Sequence, residues 1–143
     1  MKIFIADDSD VVVERLTAML AEIPRVKIVG CADSPKEALE SIHKTQPDVV
    51  VLDIHLKGGS GMEILPQIKK SDDSPLVIIL TNYPFPHYRK KCFESGADYF
   101  FDKYNEFYKL VDILSALTAG SAPRQYRQVR EFHALGGLPY GKK

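Results

Sequence analysis

The 143 residues carry no formal net charge and are 45% hydrophobic, the size and make-up of one domain with its own core. That balance gives no footing for a nucleic-acid or acidic-surface binder, and no apolar run approaches the roughly 20 residues that span a bilayer. Cys31 and Cys92 have neither metal nor disulfide-framework spacing, so a soluble cytoplasmic domain with reduced thiols is expected.

Lys2 to Ala6 is an apolar, partly β-branched run that stops on Asp7-Asp8-Ser9, which predicts a strand entering a helix capped by Asp8 or Ser9. Val12, Leu16, Met19, Leu20 and Ile23 then recur at helical spacing until Pro24, and Val26 to Cys31 reads as a second strand. Ser34-Pro35-Lys36-Glu37 predicts a capping box with proline at the first helical position, followed by Ala38, Leu39 and Ile42 on one face. Gln46-Pro47-Asp48 ends that helix. Val49 to Leu52 is a continuous branched run, the pattern of a strand buried on both faces of a parallel sheet.

Ile54 to Gly61 reads as a glycine-rich loop. Ile64, Leu65 and Ile68 mark a third helix, with Pro66 placed near its first turn. Leu76 to Leu80 is a fourth strand ending in Thr81-Asn82. A shorter helix carries Tyr88, Cys92 and Phe93 up to Gly96, read as the residue just past its end. Tyr99-Phe100-Phe101 is a fifth strand that stops at Asp102-Lys103, and Phe107, Leu110, Val111, Leu114 and Leu117 form a last amphipathic helix. Strand and helix alternate five times with short connections, which predicts an α/β fold: a doubly wound parallel sheet with helices on both faces.

Ala119 to Pro123 reads as a linker or helix end, and Arg124 to Lys143 as a tail too short and glycine-rich for a second domain. From Ser121 onward five cations face Glu131, roughly +4, which leaves about −4 on residues 1–120. A body of residues 1–118 and a basic tail of residues 119–143, flexible or docked, is expected.

Four strand ends deliver Asp7 and Asp8, Asp53, Thr81 and Lys103 to one rim of the sheet, where open α/β sheets bind their ligands. Clustered carboxylates repel one another unless a cation joins them. Oxygen donors of this kind suit Mg²⁺, and with Lys103 and Thr81 they suit a phosphoryl group, for which positioning and charge neutralisation supply most of the catalysis. Asp53 is then the natural nucleophile, forming an aspartyl phosphate.

With Gly61 eight residues past Asp53, and Gly96-Ala97-Asp98 before the fifth strand, these residues resemble the receiver domain of two-component response regulators. The resemblance covers roughly residues 1–118 and implies the flavodoxin-like strand order 2-1-3-4-5. It implies that Asp53 accepts phosphate from a histidine kinase or histidine phosphotransfer protein. Asp8, Asp53 and the backbone carbonyl of His55 would ligate Mg²⁺, with Asp7 acting through water. Lys103 would pair with the phosphoryl group and Thr81 would move onto it, while Phe100 turns inward behind. That Thr81–Phe100 switch would bias a surface on helix 4, strand 5 and helix 5, which an output partner or a second copy reads. The chain departs from the family pattern at Tyr104, which stands where proline often follows the lysine, at Asn82, a larger residue than usual, and at Lys57, which adds a cation near the site. His55 and Tyr83 occupy positions that tune phosphate lifetime in the family.

The leading function is a stand-alone phospho-accepting switch or phosphorelay intermediate, a signalling module rather than an enzyme. The alternative is the receiver half of a DNA-binding transcription regulator, truncated or assembled in trans. An aspartate-nucleophile phosphatase fits less well, since Asp8-Ser9-Asp10-Val11-Val12 lacks the threonine that class uses. A flavin carrier would need a phosphate-binding loop where Asp7 and Asp8 repel anions. No membrane or direct nucleic-acid partner is expected. The four histidines read as surface residues, Arg89-Lys90-Lys91 reads first as a solvated helix face and second as a docking patch, and the tail is expected near the helix 4–strand 5–helix 5 face.

Overall fold

The computed structural model describes residues 1–120; the tail expectation, from Ser121 on, falls outside them. The elements run β1 (Lys2–Ala6), α1 (Asp10–Leu20), β2 (Lys27–Ala32), α2 (Pro35–Thr45), β3 (Val49–Leu52), β4 (His55–Leu56), β5 (Gly59–Ser60), α3 (Gly61–Ile68), β6 (Leu76–Thr81), α4 (Pro86–Glu94), β7 (Tyr99–Asp102) and α5 (Phe107–Thr118). Five strands form one parallel sheet in the order β2-β1-β3-β6-β7. Counting sheet strands alone, this is the expected 2-1-3-4-5.

The two-residue period of a strand sorts its side chains onto two cores. Val50 and Leu52, with Phe4, Val77, Ile79 and Phe100, face α2, α3 and α4. Val49 and Val51, with Ile3, Ile5, Ile78, Leu80 and Phe101, face α1 and α5. All four residues of β3 are therefore buried, as its unbroken Val/Leu composition requires. No helix among the described residues is long and apolar enough to cross a membrane.

Local chemistry moves several boundaries. Helix α1 stops at Leu20, before Pro24, because Ala21 to Ile23 close onto Thr17, Met19 and Leu20 as turns. Ser34 accepts the amide of Glu37, one half of the expected capping box. The full reciprocal box is at Ser60 and Glu63. The expected loop after Asp53 contains a short antiparallel hairpin, His55 against Ser60 and Leu56 against Gly59. Pro66 is the sixth residue of α3, in its second turn rather than its first, so Met62 loses the amide that would bond its carbonyl. Helix α4 ends at Glu94, and Gly96, with φ +109°, lies just past its end as predicted. The amides of Gly96 and Ala97 return to the carbonyls of Phe93 and Cys92, a Schellman closure.

Candidate functional site

The carboxyl ends of the sheet strands carry the site, and backbone bonds fix their relative height. The Asp53 amide donates to the Ala6 carbonyl at 2.9 Å, and the Lys103 amide to that of Thr81 at 2.8 Å. Asp7, Asp53, Thr81 and Lys103 are all buried, whereas Asp8 is exposed. One carboxylate oxygen from each of Asp7, Asp8 and Asp53 lies within 4.8 Å of the others. The rim brings together the residues that the sequence placed at separate strand ends.

One cation serves two buried acids. The Lys103 ammonium lies 2.8 Å from Asp7 Oδ2 and 3.0 Å from Asp53 Oδ2. Asp7 also accepts the Ser9 amide, and Asp53 Oδ1 that of His55 at 3.4 Å. Burial pushes Asp53 up to about 6, helped by the charge of Asp7 and opposed by Lys103. Burial also raises Asp7 above the ordinary carboxylate range, against the pull of Lys103 and Ser9. Burial lowers the affinity of Lys103 for its proton, but the bonds and charges of Asp7 and Asp53 outweigh this, and its pKa is raised. The site holds more negative charge than its lysine neutralises. An all-oxygen donor set with surplus negative charge and one solvent-facing carboxylate fits a hard divalent cation such as Mg²⁺.

Gly61 has a steric reason to be glycine. A Cβ there would lie 2.1 Å from the Asp53 carbonyl oxygen, and the Gly61 amide donates to Ile54 O at 2.6 Å. The start of α3 therefore lies directly against the backbone of Asp53.

The other predicted positions distribute unevenly. The Thr81 hydroxyl accepts the Tyr83 amide at 3.0 Å, a local turn bond. Phe100 is buried on the α4 side of the sheet. Lys57 does not turn to the carboxylates: its ammonium pairs with Asp33 at 3.0 Å, both side chains exposed, and Asp33 raises its pKa. Asn82 is exposed. The rings of His55 and Tyr83 meet edge-on with centroids 4.0 Å apart, and Tyr88 lies 6.4 Å from His55. His43, His55 and His87 are exposed, as expected; His133 falls outside the described residues. In place of a proline after Lys103, Asp102 accepts the Tyr104 amide and the Asn105 side chain, while Glu106 accepts the Asp102 amide.

Arg89 overturns the solvated-face expectation. It is 6% exposed, and its guanidinium lies 5.5 Å from the Phe93 ring centre and 5.3 Å from that of Phe100, with Nη1 donating to the Phe100 carbonyl at 3.3 Å. Lys90 and Lys91 are exposed. In sequence three consecutive cations look alike, and only the four-residue step from Arg89 to Phe93 hints that the first turns inward.

Comparison with known proteins is consistent over most of the chain. Residues 3–115 match the family model described as response regulator receiver domain. Sensory transduction protein LytT of Bacillus anthracis is 34% identical over 107 residues, 74% of this chain and 43% of that protein. Response regulator GacA of Pseudomonas syringae pv. syringae is 30% identical over 123 residues, 84% of this chain and 56% of that protein. A crystal structure of a two-component response regulator of the LuxR family from Aurantimonas sp. SI85-9A1 superposes with a TM-score of 0.75 at 27% identity, covering 91% of this chain and 96% of that one. The matched region spans about half the length of these two curated relatives.

Proposed function

The chain belongs to the response regulator receiver domain family, and from that premise we propose that it is a phospho-accepting switch of a two-component or phosphorelay system, modified on Asp53. The observation that supports this reading above the rest is the buried Asp53 carboxylate, 3.0 Å from Lys103 and grouped with Asp7 and Asp8. An Asp53 oxygen attacks phosphorus. The bond from phosphorus to the donor nitrogen of a histidine kinase or phosphotransfer protein breaks, and its electron pair leaves with that nitrogen. Three changes follow among the chain's own residues. Lys103 shifts its bond from Asp53 Oδ2 to a phosphoryl oxygen, the Thr81 hydroxyl donates to another, and the buried Phe100 ring repacks behind it.

Asp8, Asp53 and the His55 carbonyl would hold Mg²⁺, with Asp7 acting through water. When bound, the ion supplies charge neutralisation for the incoming phosphoryl oxygens. His55 and Tyr83, in contact beside the site, are the side chains placed to set water access and hence phosphate lifetime. Residues 1–118 are proposed as the signalling unit. The surface of α4, β7 and α5 is proposed as the output face for a partner or a second copy, with residues 119–143 as a segment that tunes it.

A second reading, the receiver half of a longer DNA-binding regulator, is compatible with the relatives, since the matched region covers 43% and 56% of LytT and GacA. Both readings share the same Asp53 chemistry. The test is intact mass after incubation with Mg²⁺ and acetyl phosphate, beside an Asp53→Asn control. One added phosphate that needs both Mg²⁺ and Asp53 is the expected result. No adduct, together with no uptake of beryllofluoride, would exclude a phospho-accepting role.

A further inference from the structure

We propose that Arg89 is a positioning residue of the switch, latching α4 to Phe100 so that the helix and the ring move together. The inference rests on the reading of Asp53 as a phosphoacceptor coupled to Phe100.

The buried side chains of α4 are Arg89, Cys92 and Phe93, and its N-cap Phe85 makes no side-chain capping bond. Arg89 is therefore one of three buried side chains through which the helix is held to the sheet. The loop that joins α4 to the site is short, from Thr81 at the end of β6 to Pro86, so a displacement of the helix is felt at the Thr81 hydroxyl.

A leucine or methionine at position 89 would fill comparable space without the cost of burying a charge. What arginine adds is direction. A planar guanidinium contacts aromatic faces while donating hydrogen bonds from its edge. Here it lies over the rings of both Phe93, on its own helix, and Phe100, on β7, and it donates to the Phe100 carbonyl. One side chain thereby holds the ring and the backbone of the residue expected to switch, and ties both to the helix expected to report it. Phe93 and Phe100 also touch each other, with ring centres 6.5 Å apart.

The test uses the whole chain and Mg²⁺ with beryllofluoride as probe, read by hydrogen exchange of α4 amides in the native protein, Arg89→Met and Arg89→Lys. Before ligand, Arg89→Met is expected to exchange α4 amides about tenfold faster, with β1 and β3 at native rates. Its site still takes up beryllofluoride, but the response of α4 to that uptake falls to about one third, because helix and ring are no longer coupled. Arg89→Lys, which keeps the charge without the planar fork, is expected to fall between, at about threefold faster exchange. It carries the test should Arg89→Met fail to fold. Native rates and a native α4 response in the variants overturn the proposal and leave Arg89 as core filling. A native chain that takes up no beryllofluoride brings down the phosphoacceptor reading and the positioning role together, and faster α4 exchange in that case marks a structural contact alone.

Discussion

Among the described residues, lysine and aspartate meet in the interior twice, at opposite ends of the same sheet. At the amino-terminal edge, Lys69 Nζ lies 3.0 Å from Asp98 Oδ2, and that oxygen also accepts the Val77 amide at 2.9 Å. Lys69 donates as well to the Pro75 carbonyl. One ammonium faces one carboxylate, and backbone groups of Val77 and Pro75 join them, so the pair ties α3, β6 and β7 together. At the carboxyl edge one ammonium faces Asp7 and Asp53, with Asp8 close by. The residue types are the same, but the stoichiometry differs. A balanced pair is finished structure; an unbalanced one leaves a charge for a ligand to complete.

The largest expected effects separate the two ends. Asp53→Asn should abolish phosphorylation from acetyl phosphate entirely while leaving the fold intact, checked by intact mass and circular dichroism. Asp98→Asn should do the reverse. It leaves the Lys69 charge without its acid at an 18% exposed position, which should cost about 3 kcal/mol in a urea melt, while Asp53 in the folded fraction still takes phosphate. Loss of phosphorylation in Asp98→Asn under conditions where it stays folded would mean that the two ends are not independent.

Gly61→Ala is a finer probe, because it pushes on the carboxyl end through backbone alone. The added methyl meets the Asp53 carbonyl oxygen, so either α3 or the Asp53 backbone must shift. Overpacking of this kind costs about 2 kcal/mol, and the phosphorylation rate should fall with it. Unchanged stability with an unchanged rate would show that α3 can slide away freely.

Most of this arrangement was legible in the chain, and the rest was hidden for identifiable reasons. The unbroken run Val49 to Leu52 announced a strand buried on both faces, and the polar residues that end β1, β3, β6 and β7 announced a rim. The hairpin at His55–Leu56 and Gly59–Ser60 escaped because two-residue strands carry too little alternation to be seen, although Ser60-Gly61-Met62-Glu63 matches the capping-box pattern. Arg89 escaped because burial of a cation depends on which rings the fold brings above it, and Phe100 arrives from another strand. The pairing of Lys57 was hidden for the same kind of reason: Asp33, its partner, follows the end of a different strand.

The smallest expected effect is also the most direct measure of the imbalance. In the absence of Mg²⁺ the folded-state pKa of Asp53 is raised from 3.8 to about 6. A carboxyl that binds its proton more tightly when folded contributes stability that is fully present below its unfolded pKa and is lost as pH rises through the folded one. Asp7 is shifted in the same direction. The contribution of Lys103, raised by the two carboxylates, is lost only above its own elevated pKa, outside this window. Between pH 4 and 7 the native protein in EDTA should therefore lose stability relative to Asp53→Asn, a difference in which carboxylates common to both proteins largely cancel. Mg²⁺ should restore that stability at pH 7.5 and have little effect at pH 5, where the Asp53 proton competes with it. Thermal melts of the two proteins across that range, with and without Mg²⁺, make the comparison. Parallel stability curves would mean that Lys103 already balances the carboxyl end as fully as Lys69 balances the other.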